Sequence, residues 1–308
     1  MTYTRREFTA ITLAGFALQR APAPSPVRDI AGVRVGAQSY SFRSLSRPPD
    51  GDLVQPLIDA YSACGLVECE LWSPQIEPAA PSLPRGNTPE LQEARQQART
   101  ALRRWRIETP IEHFRSIRQK FATAKITIRA FNYSFNDSFS DEEIDRGFDI
   151  ARALGAEWIT ASSTISAAKR VRPFVEKHKM IVGMHNHSDV NNPNEFATPA
   201  SFAAAMQMSK YFKVNLDIGH FTAANQDPVA YIRDHHADIT NLHVKDMRRN
   251  QGDYMPWGTG DTPLGDVLQL LKRNKWPIPA YIEYEYRGSG TPVDEVRKGL
   301  EYMRQALA

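Results

Sequence analysis

The chain has 308 residues, of which 42% are hydrophobic and 24% are charged, a composition typical of a soluble globular protein with a large core. Its formal net charge is only +3, and the absence of a basic run argues against a nucleic-acid-binding surface. Two cysteines, Cys64 and Cys69, are too few for a disulfide framework, and no apolar run reaches the roughly 18 residues that span a membrane.

Residues 1–30 are predicted to be a twin-arginine-type signal and a tether, followed by one domain over residues 31–308. Thr4-Arg5-Arg6-Glu7-Phe8 is a twin-arginine pattern, and a short apolar segment follows it at 11–18. Residues 21–26 alternate small residues with prolines, which indicates a stiff tether. A basic tail is the alternative interpretation. We expect export in a folded state to the periplasm, without stable membrane insertion after processing.

After the tether, short apolar runs alternate with longer amphipathic segments. Strands are predicted at 33–38, 66–72, 126–132, 157–161, 180–185, 212–217, 239–244 and 280–285. Helices are predicted at about 51–63, 89–123 with a break near Pro110, 140–154, 166–178, 199–209, 228–236, 264–274 and 292–307. This alternation predicts an α/β fold, a single-domain (β/α)₈ TIM barrel. A doubly wound open sheet is the alternative, but no glycine-rich phosphate turn follows the first strand.

Four consecutive predicted strands end in a side chain that can bind a metal ion. These side chains are His185, Asp217, His243 and Glu283. Because the carboxyl ends of barrel strands converge on one mouth, we expect the four to hold one divalent ion. Imidazole and oxygen donors without thiolates suit Mn²⁺ first, and also Zn²⁺, Co²⁺, Fe²⁺ or Mg²⁺. Each residue has a structural alternative; Asp217, for example, could cap the following helix.

Other polar side chains near the same strand ends are candidate contacts to a substrate. They are Glu70, His187, His220, Lys245 and Arg249. The mouth is also expected to hold Gln38, Tyr40, Trp72 and Asn132. His187 and Glu285 share a strand face with His185 and Glu283, so they are alternative ligands. The loop at 255–261 could cover the mouth.

With these motifs in place, the chain resembles the xylose isomerase-like TIM barrels, in particular the sugar phosphate isomerase/epimerase family. The resemblance covers about residues 33–307. It rests on Glu70-Leu71-Trp72, Leu216-Asp217-Ile218-Gly219-His220, Leu242-His243-Val244-Lys245-Asp246, Trp257-Gly258-Thr259-Gly260-Asp261 and Ile282-Glu283-Tyr284-Glu285.

The resemblance also implies roles for the four strand-end residues. Ketose epimerases of this family hold one metal ion with Glu, Asp, His and Glu, and the two glutamates act as paired acid and base. The matching positions are His185, Asp217, His243 and Glu283, so His185 and Glu283 are the expected catalytic residues. The family often has Glu-Asn-His where this chain has His185-Asn186-His187. This departure makes a two-base epimerase doubtful.

The family also includes lyases and hydratases of 3-keto sugars and glycosides. In all of these reactions a metal ion stabilises the charge that develops when a base takes a proton beside a carbonyl. The resemblance therefore implies a metal-dependent enzyme that acts on a small sugar or keto-glycoside by enolisation, with a 3-keto-glycoside lyase or hydratase as one outcome. A non-catalytic exported sugar-binding protein is the alternative. A DNA-repair endonuclease is a third hypothesis, which the low net charge and the export signal disfavour. The sugar and homo-oligomerisation are left open.

Overall fold

A computed structural model describes residues 24–46 and 52–308. The twin-arginine pattern, the apolar segment and the start of the tether therefore lie outside the described residues. Within the described part, the sheet contains eight parallel strands that close into a barrel. They are β1 Val33–Gln38, β2 Glu68–Trp72, β3 Thr127–Asn132, β4 Trp158–Ser162, β5 Ile181–His185, β6 Phe212–Asp217, β7 Ile239–Val244 and β8 Ala280–Ile282.

Pairing between the first and last strands closes the sheet. Ala280 of β8 lies opposite Val35 of β1, and Gln38 of β1 lies opposite Glu70 of β2. The remaining strands pair with their sequence neighbours around the ring. The prediction of a single (β/α)₈ barrel is confirmed.

Ten α-helices connect or follow these strands in the described part of the chain. They are α1 Gln55–Cys64, α2 Pro89–Glu108, α3 Ile111–Thr123, α4 Asp141–Leu154, α5 Ile165–His178, α6 Pro199–Met208, α7 Ile218–Ala223, α8 Pro228–His235, α9 Leu264–Asn274 and α10 Pro292–Leu307. The break at Pro110 separates α2 from α3 as predicted. The sequence pattern does not predict α7, because six residues are too few for a helical periodicity to be recognised.

Local signals set many of these helix ends. The hydroxyls of Ser140 and Thr291 accept hydrogen bonds from backbone amides in the first turns of α4 and α10, which satisfies donors that have no partner within the helix. Gly65 and Gly155 end α1 and α4 with φ of 73° and 78°, a conformation that favours glycine. No helix of residues 24–46 and 52–308 is long and apolar enough to cross a membrane.

Cys64 and Cys69 are both buried and free. β8 is three residues shorter than predicted. The amide of Tyr284 donates to the Ser41 hydroxyl at 2.9 Å rather than to a neighbouring strand.

The barrel interior beneath the mouth contains polar side chains in layers. Alternation along β2 turns Glu68 and Glu70 toward the axis, whereas Cys69 and Leu71 belong to the apolar core outside the barrel. At the amino end, Arg34 donates to Glu68 at 2.7 Å. The next layer up, around Glu70, lies directly below the strand ends. This layer of buried polar side chains determines how the side chains at the strand ends are held.

Candidate active site

The carboxyl ends of the strands surround a cavity of about 440 Å³, a volume in the range of small-molecule sites. Most of its walls are polar or aromatic side chains from strand ends and the loops that follow them. The lining residues are Gln38, Tyr40, Trp72, Asn132, Ser134, Ser162, His185, His187, His220, His243, Tyr254, Glu283 and Glu285.

The predicted metal ligands lie together at one side of this cavity. Donor atoms of His185, Asp217 and His243 are within 4.8 Å of one another, and all three residues are buried. Glu283 Oε2 lies 3.2 Å from His243 Nδ1. A second group with the same spacing consists of His185, His187 and His220.

Lys245 lies among the carboxylates of this site rather than on its rim. Its Nζ is 2.7 Å from Asp217 Oδ2 and 2.9 Å from Glu283 Oε2, and it also contacts Glu285. Burial disfavours the ammonium, but the three carboxylates raise the pKa of Lys245 well above its ordinary value. The lysine was expected to contact substrate oxygens; instead it is a buried counter-ion beneath the cavity.

His243 is held through one ring nitrogen and presents the other to the site. Its Nε2 lies 2.8 Å from Glu70 Oε2, and its Nδ1 has no aligned hydrogen-bond partner among the described residues. Burial lowers the pKa of His243, but Glu70 and Glu283 together raise it well above its ordinary value. The two carboxylates beside the ring therefore favour a positive charge at His243.

Asp217 has both of the roles that its sequence position suggested. Its Oδ1 accepts a hydrogen bond from the His220 amide at 2.7 Å and so caps α7. Its Oδ2, buried and without an aligned hydrogen-bond donor in the described chain, faces Lys245. Burial raises the pKa of Asp217 to about 7, although Lys245 opposes the shift. Gly219 permits this packing, because a Cβ there would lie 2.6 Å from Lys245 Cγ.

His185 is a neutral imidazole, and its Nε2 can bind a metal ion. Its Nδ1 lies 3.2 Å from Asn215 Oδ1. The Asn215 amide is oriented by its own donation to the Asn241 carbonyl at 3.3 Å, so His185 Nδ1 carries the proton and Nε2 has the lone pair. Burial, and then the neighbouring His243, lower the pKa of His185 well below its ordinary value.

These residues fit a divalent metal ion. Asp217 Oδ2 and His243 Nδ1 are buried polar atoms without an aligned hydrogen-bond partner in the described chain, and such atoms are rare because they are costly. Three carboxylates surround the single ammonium of Lys245. Carboxylate oxygens and imidazole nitrogens with surplus negative charge are a donor set for Mn²⁺ or Zn²⁺.

Of the other predicted substrate contacts, the structure brings two histidines to the cavity. His187 is 47% exposed by side chain, and its Nε2 lies 3.0 Å from Ser162 Oγ. The buried His220 packs edge-on against the His187 ring, with ring centroids 5.1 Å apart. Arg249 does not line the cavity; its side chain is exposed, and its amide donates to Asp261 at 3.0 Å.

The position of Glu70 also differs from the expectation. The residue was expected to meet substrate hydroxyls at the mouth, but it is 0% exposed and its oxygens accept hydrogen bonds from protein groups. Alternation along the strand placed it correctly inside the barrel. The pattern could not show that it lies one layer below the cavity.

Three lining residues were not identified from the sequence, namely Ser134, Ser162 and Tyr254. Ser162 is the last residue of β4, one position beyond the predicted strand end. Tyr254 comes from a two-stranded hairpin, Asp246–Met247 with Tyr254–Met255, which is too short to leave a pattern. In the loop expected to cover the mouth, Trp257 packs against Tyr302 of α10, with ring centroids 5.7 Å apart.

Comparison with solved structures finds the same fold in several proteins. A sugar phosphate isomerase/epimerase from Parabacteroides distasonis is 16% identical, with a TM-score of 0.58 and coverage of 92% of this chain and 98% of that chain. The probable 3-DHS dehydratase AsbF from Bacillus anthracis is 14% identical, with a TM-score of 0.59 and coverage of 87% and 98%. The 3-keto-D-glucoside 4-epimerase YcjR from E. coli is 10% identical, with a TM-score of 0.59 and coverage of 88% and 98%.

At these identities the likeness establishes the fold and not a reaction. No curated protein matches the sequence significantly. The family described as xylose isomerase-like TIM barrel matches residues 96–306, more than half of the chain. With the closed barrel and the strand-end residues described above, this match shows that the chain belongs to the xylose isomerase-like TIM barrel family.

Proposed function

We propose that this protein is a divalent-metal-dependent enzyme that removes a proton beside the carbonyl group of a sugar, with a 3-keto-glycoside as its substrate. One observation carries the proposal: the donor atoms of His185, Asp217 and His243 lie within 4.8 Å of one another beside a cavity. The structural neighbours named as a sugar isomerase/epimerase, a dehydratase and a keto-glucoside epimerase support it.

The proposed ligands of the ion are His185, Asp217, His243 and Glu283, and Mn²⁺ is the proposed ion. When bound, the ion would polarise a substrate carbonyl and stabilise the negative charge that develops on its oxygen. Lys245 shares Asp217 and Glu283 with this site and has Glu285 as a third partner. The ammonium therefore keeps a counter-ion of its own when the other two carboxylates bind metal.

Glu283 and His185 differ in charge, and this difference bears on the reaction. Burial raises the pKa of Glu283, but Lys245 and His243 lower it well below its ordinary value. Glu283 is thus an ionised carboxylate at the cavity wall, which is the protonation state that a general base requires, although the same two neighbours make it a weaker base. His185 is a neutral imidazole and does not supply the second carboxylate that two-base epimerisation needs. In β-elimination one such base takes the C–H proton, a C=C bond forms, and the β-substituent leaves with the electron pair of its C–O bond and is then protonated, so a second carboxylate is not needed.

The remaining cavity walls suit a sugar ring without a phosphate group. Tyr40 and Trp72 pack edge-to-face with ring centroids 4.8 Å apart, and Tyr254 lies on another part of the wall. Such rings offer apolar faces, while neighbouring amides and hydroxyls can bind sugar oxygens. No arginine or lysine of the described residues lines the cavity, which argues against a phosphorylated substrate.

Elemental analysis of the purified protein and NMR of substrate mixtures in D₂O test this proposal. We expect one divalent ion per chain, loss of the β-substituent from 3-keto-glycosides, and solvent deuterium at the carbon beside the carbonyl. Efficient epimerisation of free ketoses with untouched 3-keto-glycosides would contradict it. Sugar binding without turnover in the metal-loaded protein would favour the alternative of an exported binding protein.

The substitution His185→Glu tests whether the missing carboxylate is what limits epimerisation. Glutamate at this position would restore the carboxylate pair, so we expect ketose epimerisation to rise at least roughly tenfold over the wild-type rate. His187→Glu is the matched control, because it places a carboxylate at the cavity wall two residues further along the chain, outside the proposed ligand set. Equal rates for both variants would show that the pair is not the determining feature.

A further inference from the structure

Glu70 is completely enclosed by hydrogen-bond donors beneath the cavity. Its Oε2 lies 2.8 Å from His243 Nε2 and accepts from Asn241 Nδ2 at 2.9 Å. Its Oε1 accepts from the Thr160 hydroxyl at 2.6 Å and lies 3.4 Å from Asn132 Nδ2. The residue is 0% exposed, so no surface remains for a substrate hydroxyl.

The orientation of each neighbour is determined by a further hydrogen bond. The indole N–H of Trp158 can only donate, and it donates to Asn241 Oδ1 at 3.0 Å, which turns Nδ2 of that amide toward Glu70. Asn132 Nδ2 donates to Thr160 Oγ1 at 3.0 Å, so the hydroxyl proton points to Glu70. The asparagine and threonine partners are thus all donors. Glu70 is therefore the acceptor in each of these hydrogen bonds.

As a hydrogen-bond acceptor at this distance, Glu70 determines which nitrogen of His243 carries hydrogen. The ring presents an N–H at Nε2, and in the neutral form that binds a metal ion its lone pair is then at Nδ1. Nδ1 is the buried atom without an aligned partner in the described chain, next to Glu283 and within the group that includes Asp217. Without Glu70 as an acceptor, the ring could carry its hydrogen on either nitrogen.

We propose that Glu70 is a positioning residue for the metal site and acts through His243. It holds the tautomer whose Nδ1 faces the cavity, and its negative charge makes that nitrogen a stronger donor to a cation. Carboxylate–histidine–metal arrangements of this kind raise metal affinity in other proteins. The inference deepens the proposed function and rests on it, because it takes His243 as a metal ligand.

The substitution Glu70→Gln tests the role at nearly constant volume. Glutamine removes the negative charge and directs an N–H₂ group at partners that are themselves donors. We expect the Kd for Mn²⁺, measured by calorimetry on the full chain, to rise about 10- to 100-fold. The visible spectrum of bound Co²⁺ should change as well, because the donor strength of one ligand has changed. Glu70→Asp, which keeps the charge, should recover part of the affinity.

Glu68→Gln is the matched control for a merely structural effect. Glu68 lies two residues earlier on the same strand, is 2% exposed, and pairs with Arg34 and Arg129, away from the histidines. This variant should lower the melting temperature of the barrel but leave the Kd for Mn²⁺ within about twofold of the wild-type value. Equal loss of affinity in both variants would mean that Glu70 acts only through stability, and would overturn the inference.

The remaining outcomes separate this inference from the proposed function. If the wild-type protein binds Mn²⁺ and Glu70→Gln binds it equally well, the positioning role is wrong and the proposed function stands. If the wild-type protein binds no divalent ion, both are wrong. Should Glu70→Gln fail to fold, ¹⁵N NMR of the Zn²⁺-loaded wild-type protein decides. A hydrogen on Nε2 of His243, protected from solvent exchange, supports the role, and metal bound through Nε2 overturns it.

Discussion

Asp217 shows how one side chain can serve the fold and the site together. One carboxylate oxygen caps α7 through the His220 amide, and the other faces Lys245 and the proposed metal position. A helix cap needs only a hydrogen-bond acceptor, whereas a metal site needs the charge. The two roles can therefore be separated by substitution.

The substitution Asp217→Asn should strongly weaken metal binding and leave the barrel folded. Asparagine caps helices about as well as aspartate, so the loss should be confined to the charge, and we expect affinity for Mn²⁺ to fall at least roughly 100-fold. His243→Ala should also release the metal. Calorimetry and elemental analysis measure the metal, and circular dichroism measures the fold.

The substitution Asp227→Ala is the control for the loss of a helix cap without the loss of a metal ligand. Asp227 caps α8 by accepting from the amides of Val229 and Ala230, and it is exposed and outside the proposed ligand set. Its removal should cost about 1 kcal/mol of stability without altering metal content. Unchanged metal content in both Asp217→Asn and His243→Ala would refute the ligand assignment.

At the scale of elements, two sequence motifs near the site are joined by a structural contact. Asp246 accepts hydrogen bonds from the amides of Gly260 at 2.8 Å and Thr262 at 3.2 Å. Lys245 and Asp246 are adjacent but face different partners: the lysine lies under the cavity and the aspartate holds the loop. The motif at 243–246 and the turn at 257–261 thus occur together because Asp246 of the motif holds the turn in place.

The attachment of α2 depends on a buried ion cluster. Arg106, the single buried residue of this 20-residue helix, donates to Glu77 at 2.9 Å and to Glu143 at 2.6 Å. The guanidinium also lies 5.0 Å from the ring centroid of Tyr133. Removing it would leave two carboxylates buried without this partner.

We therefore expect Arg106→Ala to destabilise the protein by about 3–5 kcal/mol. Arg103→Ala is the matched control, because Arg103 contacts the same Glu143 at 3.3 Å with a side chain that is 37% exposed. That change should cost less than about 1 kcal/mol. Thermal and urea unfolding measure both variants. Similar shifts in the two would show that the buried cluster does not hold α2.

At the scale of the whole molecule, the export prediction concerns residues outside the described part of the chain. Arg5 and Arg6 precede a weakly apolar segment, which is the order expected of a folded-export signal. Replacing both with lysine should leave the protein in the cytoplasm, and cell fractionation measures this. Undiminished periplasmic protein in the double variant would show that the segment is not such a signal.

Most of the fold follows from local information in the sequence. The eight strands and the helices longer than six residues are visible as apolar periodicities, and residues such as Ser140, Thr291 and Gly65 mark helix ends through contacts a few residues away. Alternation within a strand also predicts which side chains enter the barrel. For these reasons the barrel and the grouping of His185, Asp217 and His243 could be predicted.

The depth of each inward side chain and its partner could not be predicted in this way, because both depend on the stagger between strands. Glu70 and His243 are 173 positions apart in the chain, and only barrel closure brings the carboxylate against Nε2. Lys245 reaches three carboxylates from two other strand ends, which no spacing rule shows. The sequence by itself determined which residues face the barrel axis. The tertiary structure decided which of them meet the cavity, which support it from below, and which nitrogen each histidine presents.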